Sequence, residues 1–393
     1  MLKNIKQLLE LSSKYNIPTE DLLLLDLNLS GVKLNLPSGR VRFELESTSK
    51  DIFSLAHSKN IFNFYLAIPT IERSHYFFRN KNLFLDNHLI GKALGVTEDF
   101  CDSSYPRRRG TVLNINPNAR TLCRGCKFCY TVFQIPRDRK TILSEVKLRN
   151  FLKNWVKEFE INNLSHLIQV AIVTGCFPTE KNVVEFLKMA KKVLNEFSFD
   201  GELFYFGSQI TTKKSLLELE KVKPLGICFS LECFESKNRQ FFLRDIKRKL
   251  HLDTIKESLV LANSMGIRTN FSYIVGLESL ETIKKGFYEF LPYINSFPII
   301  NVFQAHRGQK ILRYKGADKI EYYIKTRGII EDIFKHTSFR PRPWENYRSL
   351  WYLKFGKEFL DDIRTPLPSS RHKLFNKVVA CKNKDNENHS SKH

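Results

Sequence analysis

The chain has 393 residues, 42% of them apolar and 26% charged, which is the composition of a globular protein with one large domain or two to three smaller ones. Its formal net charge of +22 suits either a polyanionic partner or a surface with evenly spread charge. No stretch approaches the roughly 18 uncharged apolar residues that cross a bilayer, and residues 1–15 have the spacing of an amphipathic helix rather than of a signal peptide. We therefore expect a cytoplasmic protein without a membrane span.

Residues 1–105 are predicted to form a separate leading region of mixed helix and strand. Helices are expected at about 3–15 and 18–26. A β-hairpin of Val32–Leu36 and Arg40–Glu44 is expected to follow, with residues 37–39 as its turn. The sequence assigns this region no function.

From about residue 110 to 310, strands alternate with amphipathic helices. This alternation favours parallel βα units, in an open sheet or in a partial barrel. In Leu225–Glu232 the polar residues Cys228, Ser230 and Glu232 share one face, which indicates a barrel interior with a site at the carboxyl ends of the strands. The predicted strands are Thr111–Asn116, Leu167–Thr174, Glu202–Phe206, Leu225–Glu232, Thr269–Val275 and Ile299–Gln304.

Three cysteines, Cys123, Cys126 and Cys129, stand within seven residues. Thiolates this close repel one another unless a metal neutralises them, and soft thiolates select iron–sulfur clusters, zinc or copper(I). A structural zinc site takes four ligands, and no second Cys or Cys/His pair stands at a suitable spacing. A [4Fe–4S] cluster on three cysteines would leave one iron open to a ligand that is not protein. Zinc and copper(I) stay as alternatives.

These features resemble the radical S-adenosylmethionine (radical SAM) enzymes, in which three close cysteines follow the first strand of a partial (β/α)6 TIM-like barrel. Cys126-Lys127-Phe128-Cys129 matches the second half of that motif, and Tyr273–Glu278 and Asn301–Gln304 are similar to stretches of its fifth and sixth strands. Three positions depart from the pattern. The first spacing is Cys-x2-Cys instead of Cys-x3-Cys, Phe177 replaces the glutamate that usually holds the methionine amine, and Glu278 lies one residue early.

The predicted fold class is α/β, with the radical SAM barrel at residues 106–310. An α+β extension precedes it at 1–105, a helical extension follows at 311–381, and residues 382–393 are expected to be disordered. The resemblance implies a [4Fe–4S] cluster and S-adenosylmethionine as cofactors. It also implies a 5′-deoxyadenosyl radical that abstracts hydrogen from a small metabolite, a natural-product precursor or a peptide.

The resemblance further implies roles for particular residues, while no catalytic side chain is predicted. The cluster ligands would be Cys123, Cys126 and Cys129. Glu232 would hydrogen-bond the ribose, and Arg239 would pair with the methionine carboxylate. The remaining cofactor-binding positions are Phe128, Gly175, Cys176 and Val275, with backbone groups of Gly175 and Cys176 serving the methionine amine.

The segment from Arg107 to Lys140 has nine basic residues against Asp138 alone. Such a segment suits an anionic substrate or an acidic electron donor, and the resemblance implies flavodoxin or ferredoxin. The alternative function is a metal-binding protein that interacts with nucleic acid, with the cysteines as a structural site and the basic charge for phosphate. The aromatic–basic interleaving typical of base stacking is absent from this segment. No membrane partner is expected.

Overall fold

The computed structural model describes most of the chain in two sheets with their helices. The described residues are 1–36, 39–99, 104–107, 111–117, 126–129, 142–173, 177–306, 308–346 and 348–360. Within this part of the chain, no helix combines the length and the apolar character that crossing a membrane requires.

The N-terminal residues form three helices and a five-stranded antiparallel sheet in the order β2-β1-β5-β4-β3. The two predicted helices are confirmed, but the predicted hairpin is wrong. Residues 32 and 33 make isolated parallel bridges to Thr70 and Phe77, because β1 is a central strand whose two edges are taken by β2 and β5. The elements are α1 Ile5–Tyr15, α2 Thr19–Ser30, β1 Arg40–Ser47, α3 Ser54–Ser58, β2 Asn63–Pro69, β3 Tyr76–Arg79, β4 Asn82–Leu85 and β5 His88–Glu98.

The second sheet contains all six predicted parallel strands in sequence order, and a short antiparallel strand, β6, borders the first of them. The predicted partial (β/α)6 barrel is therefore confirmed. The strands are β6 Tyr105–Arg107, β7 Val112–Ile115, β8 Gln169–Val173, β9 Glu202–Gly207, β10 Leu225–Glu232, β11 Arg268–Val275 and β12 Ile299–Val302. The helices are α4 Glu145–Glu158, α5 Glu180–Glu196, α6 Lys213–Leu219, α7 Ser236–Phe242, α8 Asp245–Arg248, α9 Leu252–Ser264 and α10 Leu280–Phe290.

Local sequence explains why helices separate these strands. In α5, the Thr179 hydroxyl accepts the backbone N–H of Asn182 at 3.2 Å and so caps the first turn. The buried side chains of Val183, Leu187 and Ala190 recur at helical spacing and face the sheet. The apolar stripe therefore fixes both the helix and the side on which it packs.

The two faces of the strands carry different residues. Val170 and Ile172 of β8 belong to the large core that includes the helices, whereas Ala171 packs with Phe204, Cys228 and Ile299 in a separate cluster. Cys228 is thus a fully buried core residue on the inner face of the sheet.

An ion-pair cluster lies at the amino-terminal ends of the strands. Arg268 at the start of β11 makes two 2.6 Å bonds to Glu202 of β9 and one of 2.6 Å to Glu345. Gln169 donates to both carboxylates, at 2.8 and 3.0 Å. Because Glu345 comes from the segment after the barrel, this cluster ties the C-terminal extension to that end of the sheet.

Glu202→Gln is expected to cost about 3 kcal/mol at pH 7, because it removes one partner of the Arg268 charge, whose side chain is only 13% exposed. Burial raises the pKa of Glu202, but the charge and hydrogen bonds of Arg268 outweigh it, and the net pKa is lowered. The stabilisation by Glu202 is therefore present above the unfolded pKa of about 4.3 and is lost as the pH falls through the lower folded pKa. Denaturant unfolding from pH 7 to 3 should show the two proteins converging. Glu220→Gln, at an exposed pair with Lys223, is the control.

The segment after the barrel contains α11 Ile320–Phe334 and the short hairpin β13 Lys354–Phe355 and β14 Glu358–Phe359. It also joins the N-terminal unit to the barrel. Arg327 of α11 pairs with the buried Asp21 of α2 at 2.6 Å, and Asp21 accepts the N–H of Leu353 at 2.7 Å. Gln304, just after β12, donates to Asn28 at 2.7 Å. The N-terminal helices thus pack beside the end of the last barrel strand.

Candidate functional site

Cys126 and Cys129 lie on one tight turn, in which the N–H of Cys129 donates to the carbonyl of Cys126 at 2.9 Å. Both are free thiols; Cys126 is only 8% exposed and Cys129 is partly exposed. Cys123, Gly175 and Cys176 lie outside the described residues, as does most of the basic segment 107–140.

Segments that follow two barrel strands anchor this turn. The N–H of Lys127 donates to the carbonyl of Phe242 at 2.8 Å, and the N–H of Arg244 points to the Cys126 sulfur at 3.5 Å. Gln309, beyond β12, donates to the Lys127 carbonyl at 2.7 Å. The cysteine turn therefore sits over the carboxyl ends of the strands, where sites of parallel barrels form.

Phe128 belongs to an apolar cluster beneath the turn. It packs against a buried cluster that includes Cys233, Ile274 and Phe303, which lie at or just after the ends of β10, β11 and β12. The predicted cofactor-binding position is thus beside the cysteines and in contact with the inner face of the barrel. It supplies apolar surface there.

Charged groups surround the Cys126 thiol. Burial raises its pKa, while the ammonium of Lys247 and the N–H of Arg244 act in the opposite direction. Lys247 forms a 2.9 Å ion pair with Glu232, and their side chains are only 12% and 6% exposed. Burial outweighs these two groups, so the net pKa of the Cys126 thiol is raised, and the cation and the N–H donor only partly offset the cost of a buried thiolate.

Glu232 ends β10 in an unusual backbone conformation. Its φ is +69°, in the left-handed region that side chains other than glycine rarely adopt, and the register with β11 shifts between Ser230 and Glu232. Such a bulge re-aims the side chain. The carboxylate predicted for ribose accepts a hydrogen bond from the Lys247 ammonium at 2.9 Å.

Arg239 is buried, and its guanidinium donates hydrogen bonds to four backbone carbonyls. It donates to Leu231 at 2.6 Å, Cys233 at 3.2 Å, Lys247 at 3.0 Å and Leu250 at 2.9 Å. Four N–H groups are thus engaged in holding the segment after α7 against the end of β10. This arrangement supports a positioning role more than the predicted pairing with a carboxylate.

Arg239→Lys is expected to cost about 2 kcal/mol, because an ammonium cannot reach all four carbonyls. Hydrogen exchange in residues 244–250 should become faster, which mass spectrometry would measure. Arg149→Lys, at a surface pair, is the control and should change little. Unchanged stability with weakened S-adenosylmethionine binding would instead favour the predicted carboxylate contact.

Glu278 holds the loop after β10 to the end of β11. Its carboxylate accepts the N–H groups of Phe234 and Glu235, each at 2.8 Å, and the Tyr273 hydroxyl at 2.8 Å. Burial and the nearby carboxylate raise the pKa of Tyr273 well above its ordinary value, which keeps the hydroxyl a donor. The sequence marks Glu278 only as the end of a stretch similar to the fifth strand of the radical SAM enzymes, and its position after an apolar strand does not indicate this clamp.

Val275 is followed by Gly276, where the backbone lies close to the side chains of Phe303 and Tyr323. The Val275 side chain is fully buried in the main core, and its carbonyl accepts the N–H of Phe303 at 2.8 Å. Gly276 has φ +113°, and a Cβ there would lie 2.9 Å from the Tyr323 hydroxyl. Any cofactor contact at Val275 would therefore involve backbone rather than its side chain.

Phe177, which replaces the glutamate of the family motif, is buried and fixed by Gln209. The Phe177 N–H donates to the Gln209 amide oxygen at 2.8 Å, and the Gln209 amide nitrogen donates to the Phe177 carbonyl at 2.8 Å. Glu180 accepts the N–H groups of Thr211 and Thr212 at 2.8 and 2.9 Å. These bonds tie the loops after β8 and β9 together and engage Glu180 in that contact.

The donor set around the turn fits an iron–sulfur cluster. Two free thiols lie close together, one with an N–H donor directed at its sulfur, and hydrogen bonds to sulfur are what tune such clusters. Among the described residues, no three Cys, His, Asp or Glu side chains converge as a metal site. Cys123, the third predicted ligand, lies outside the described residues.

No protein-family model matches the sequence, and no curated protein matches it. Solved structures of similar fold include the following three. Streptococcus suis SuiB bound to S-adenosylmethionine has 15% identity and TM-score 0.41, covering 59% of this chain and 48% of that one. Escherichia coli coproporphyrinogen III oxidase HemN, a radical SAM enzyme, has 13% identity and TM-score 0.40, covering 57% of this chain and 51% of that one. HydG, a maturase of the [FeFe]-hydrogenase, has 13% identity and TM-score 0.42, with coverage of 70% and 56%. This chain spans about half the length of these proteins.

Proposed function

We propose that this chain is a radical SAM enzyme that holds a [4Fe–4S] cluster on Cys123, Cys126 and Cys129. The observation that carries the proposal is the position of the Cys126–Cys129 turn over the carboxyl ends of a six-stranded parallel half-barrel. A structural metal site needs no such barrel around it. When bound, the cluster and S-adenosylmethionine supply a 5′-deoxyadenosyl radical that abstracts hydrogen from the substrate.

The chain's own residues would position S-adenosylmethionine beside the cysteines. Phe128 and the apolar ends of β11 and β12 would cover the adenine, and Val275 would contribute backbone groups. Glu232 would bind the ribose hydroxyls through one carboxylate oxygen while the other stays paired with Lys247, and Arg239 would keep the segment of Lys247 in place. Because Phe177 has no charge, the methionine amine would rely on backbone groups of Gly175 and Cys176.

The substrate would lie within the barrel and donate hydrogen bonds to side-chain oxygens on its inner face. Asn114, Asn270 and Ser272 are buried on the inner face, and in the described part of the chain their side-chain oxygens have no hydrogen-bond partner. Such oxygens are satisfied in most proteins, by water if by nothing else. A polar small metabolite, a natural-product precursor or a peptide would meet this requirement.

The same proposal includes an acidic electron donor, a flavodoxin or ferredoxin, which the net charge of +22 would attract. It also includes a reducing compartment such as the cytoplasm, which suits the four described cysteines, all of them free thiols. The proposed division of the chain stays at residues 1–105, 106–310, 311–381 and 382–393.

Anaerobic reconstitution with iron and sulfide tests the proposal. We expect about four iron atoms per chain and the visible absorption of an iron–sulfur cluster. Stoichiometric zinc without iron, in protein reconstituted without oxygen, would contradict it. Tight, salt-sensitive binding of RNA by such a zinc form would instead support the nucleic-acid alternative.

A further inference from the structure

The Glu232–Lys247 ion pair is buried at the cysteine turn, and the proposed chemistry needs no buried lysine there. The segment that carries Lys247 wraps around Cys126. Phe242 accepts the N–H of Lys127, and the N–H of Arg244 points to the Cys126 sulfur at 3.5 Å. Lys247 lies three residues further, in the short helix α8, whose turn is closed by the N–H of Arg248 donating to the carbonyl of Arg244 at 2.8 Å.

The position of this pair is fixed from both sides. The left-handed backbone and the bulge at the end of β10 direct the Glu232 carboxylate. Arg239 holds the carbonyl of Lys247 at 3.0 Å, so the lysine backbone is anchored to the same strand end. The two charged groups meet at 2.9 Å with little exposure to solvent, and solvent therefore screens them weakly.

We propose that this ion pair sets the reduction potential of the cluster bound to Cys126, with Lys247 raising the potential and Glu232 lowering it. The inference rests on the proposed function. One electron from the proposed flavodoxin or ferredoxin would take the bound cluster from the 2+ to the 1+ state, and the donor would be oxidised by one electron. A nearby cation stabilises the added negative charge, and charge near a cluster is one of the factors that set its potential.

Lys247→Met in the reconstituted protein tests the inference. Titration with dithionite and redox mediators, followed by electron paramagnetic resonance, would give the potential directly. We expect the equilibrium to move about tenfold toward the oxidised cluster, which is a potential about 59 mV lower for a one-electron couple. Glu232→Gln should move it in the opposite direction, because it removes a negative charge near the cluster and retains the positive charge of Lys247. Lys247→Arg should retain the potential of the unchanged protein.

Lys256→Met is the matched control, because it removes another partly buried lysine that pairs with an acid, on the outer helix α9. Its potential should stay unchanged. A cluster that assembles in Lys247→Met with the original potential would overturn the inference. Should that variant lose the cluster, Glu232→Gln decides, and a potential that does not rise would overturn the inference equally. Failure of the unchanged protein to bind iron would instead refute the proposed function.

Discussion

Cys126→Ala is expected to lose nearly all bound iron after anaerobic reconstitution. Cys126 is the most buried cysteine of the described turn, and its sulfur receives the N–H of Arg244. A cluster left with two protein ligands would lack its anchor in the protein interior. Iron content and visible absorption would measure the loss. We also expect this variant to release no 5′-deoxyadenosine.

Cys228→Ala is the matched control for that variant. Cys228 is also a buried free thiol, but it packs with Ala171, Phe204 and Ile299 inside the sheet. Its replacement should cost about 1 kcal/mol through a small cavity and leave the iron content unchanged. Full iron binding by Cys126→Ala, or equal loss in both variants, would contradict the assignment of the cysteine turn as the cluster site.

Glu278→Gln is expected to lower the free energy of unfolding by about 2–4 kcal/mol. The carboxylate accepts two backbone N–H groups and the hydroxyl of Tyr273, and the amide of glutamine would direct its own N–H groups toward one of these donors. The loop after β10 leads into α7, which carries Arg239. Weaker S-adenosylmethionine binding should therefore accompany the loss of stability.

Tyr273→Phe separates the parts of this effect, since it removes one of the hydrogen bonds and keeps the carboxylate. It should cost about 1 kcal/mol. Urea unfolding and calorimetric titration with S-adenosylmethionine would measure both variants. An unchanged stability in Glu278→Gln would show that the loop is held by other contacts.

The barrel could be predicted because its signals are local. Each strand is a short apolar run between helices with apolar stripes and capping residues, as Thr179 and Val183 illustrate for α5. The strand order of the N-terminal sheet could not be predicted, because it depends on which strands, distant in sequence, pair with the two edges of β1. Val32 pairs with Thr70 rather than with the segment that begins at Arg40, although the sequence of residues 37–39 is typical of a hairpin turn.

The cysteines of the site could be predicted from the sequence, whereas the contacts of the residues around them could not. Spacing alone marks Cys126 and Cys129, whereas the ion pair of Glu232 with Lys247 depends on a bulge and on a short helix after α7. Arg239 illustrates the same limit. The resemblance implies a carboxylate partner for Arg239, yet here its guanidinium donates to the backbone carbonyls of a turn, and no residue pattern predicts that contact.

Release of 5′-deoxyadenosine tests the central claim most directly. The reconstituted protein would be reduced with dithionite, mixed with S-adenosylmethionine and analysed by liquid chromatography. We predict release that requires both the reductant and the cluster and that is absent from Cys126→Ala. A protein with a complete [4Fe–4S] cluster that binds S-adenosylmethionine, accepts an electron and still releases no 5′-deoxyadenosine would contradict the proposed function.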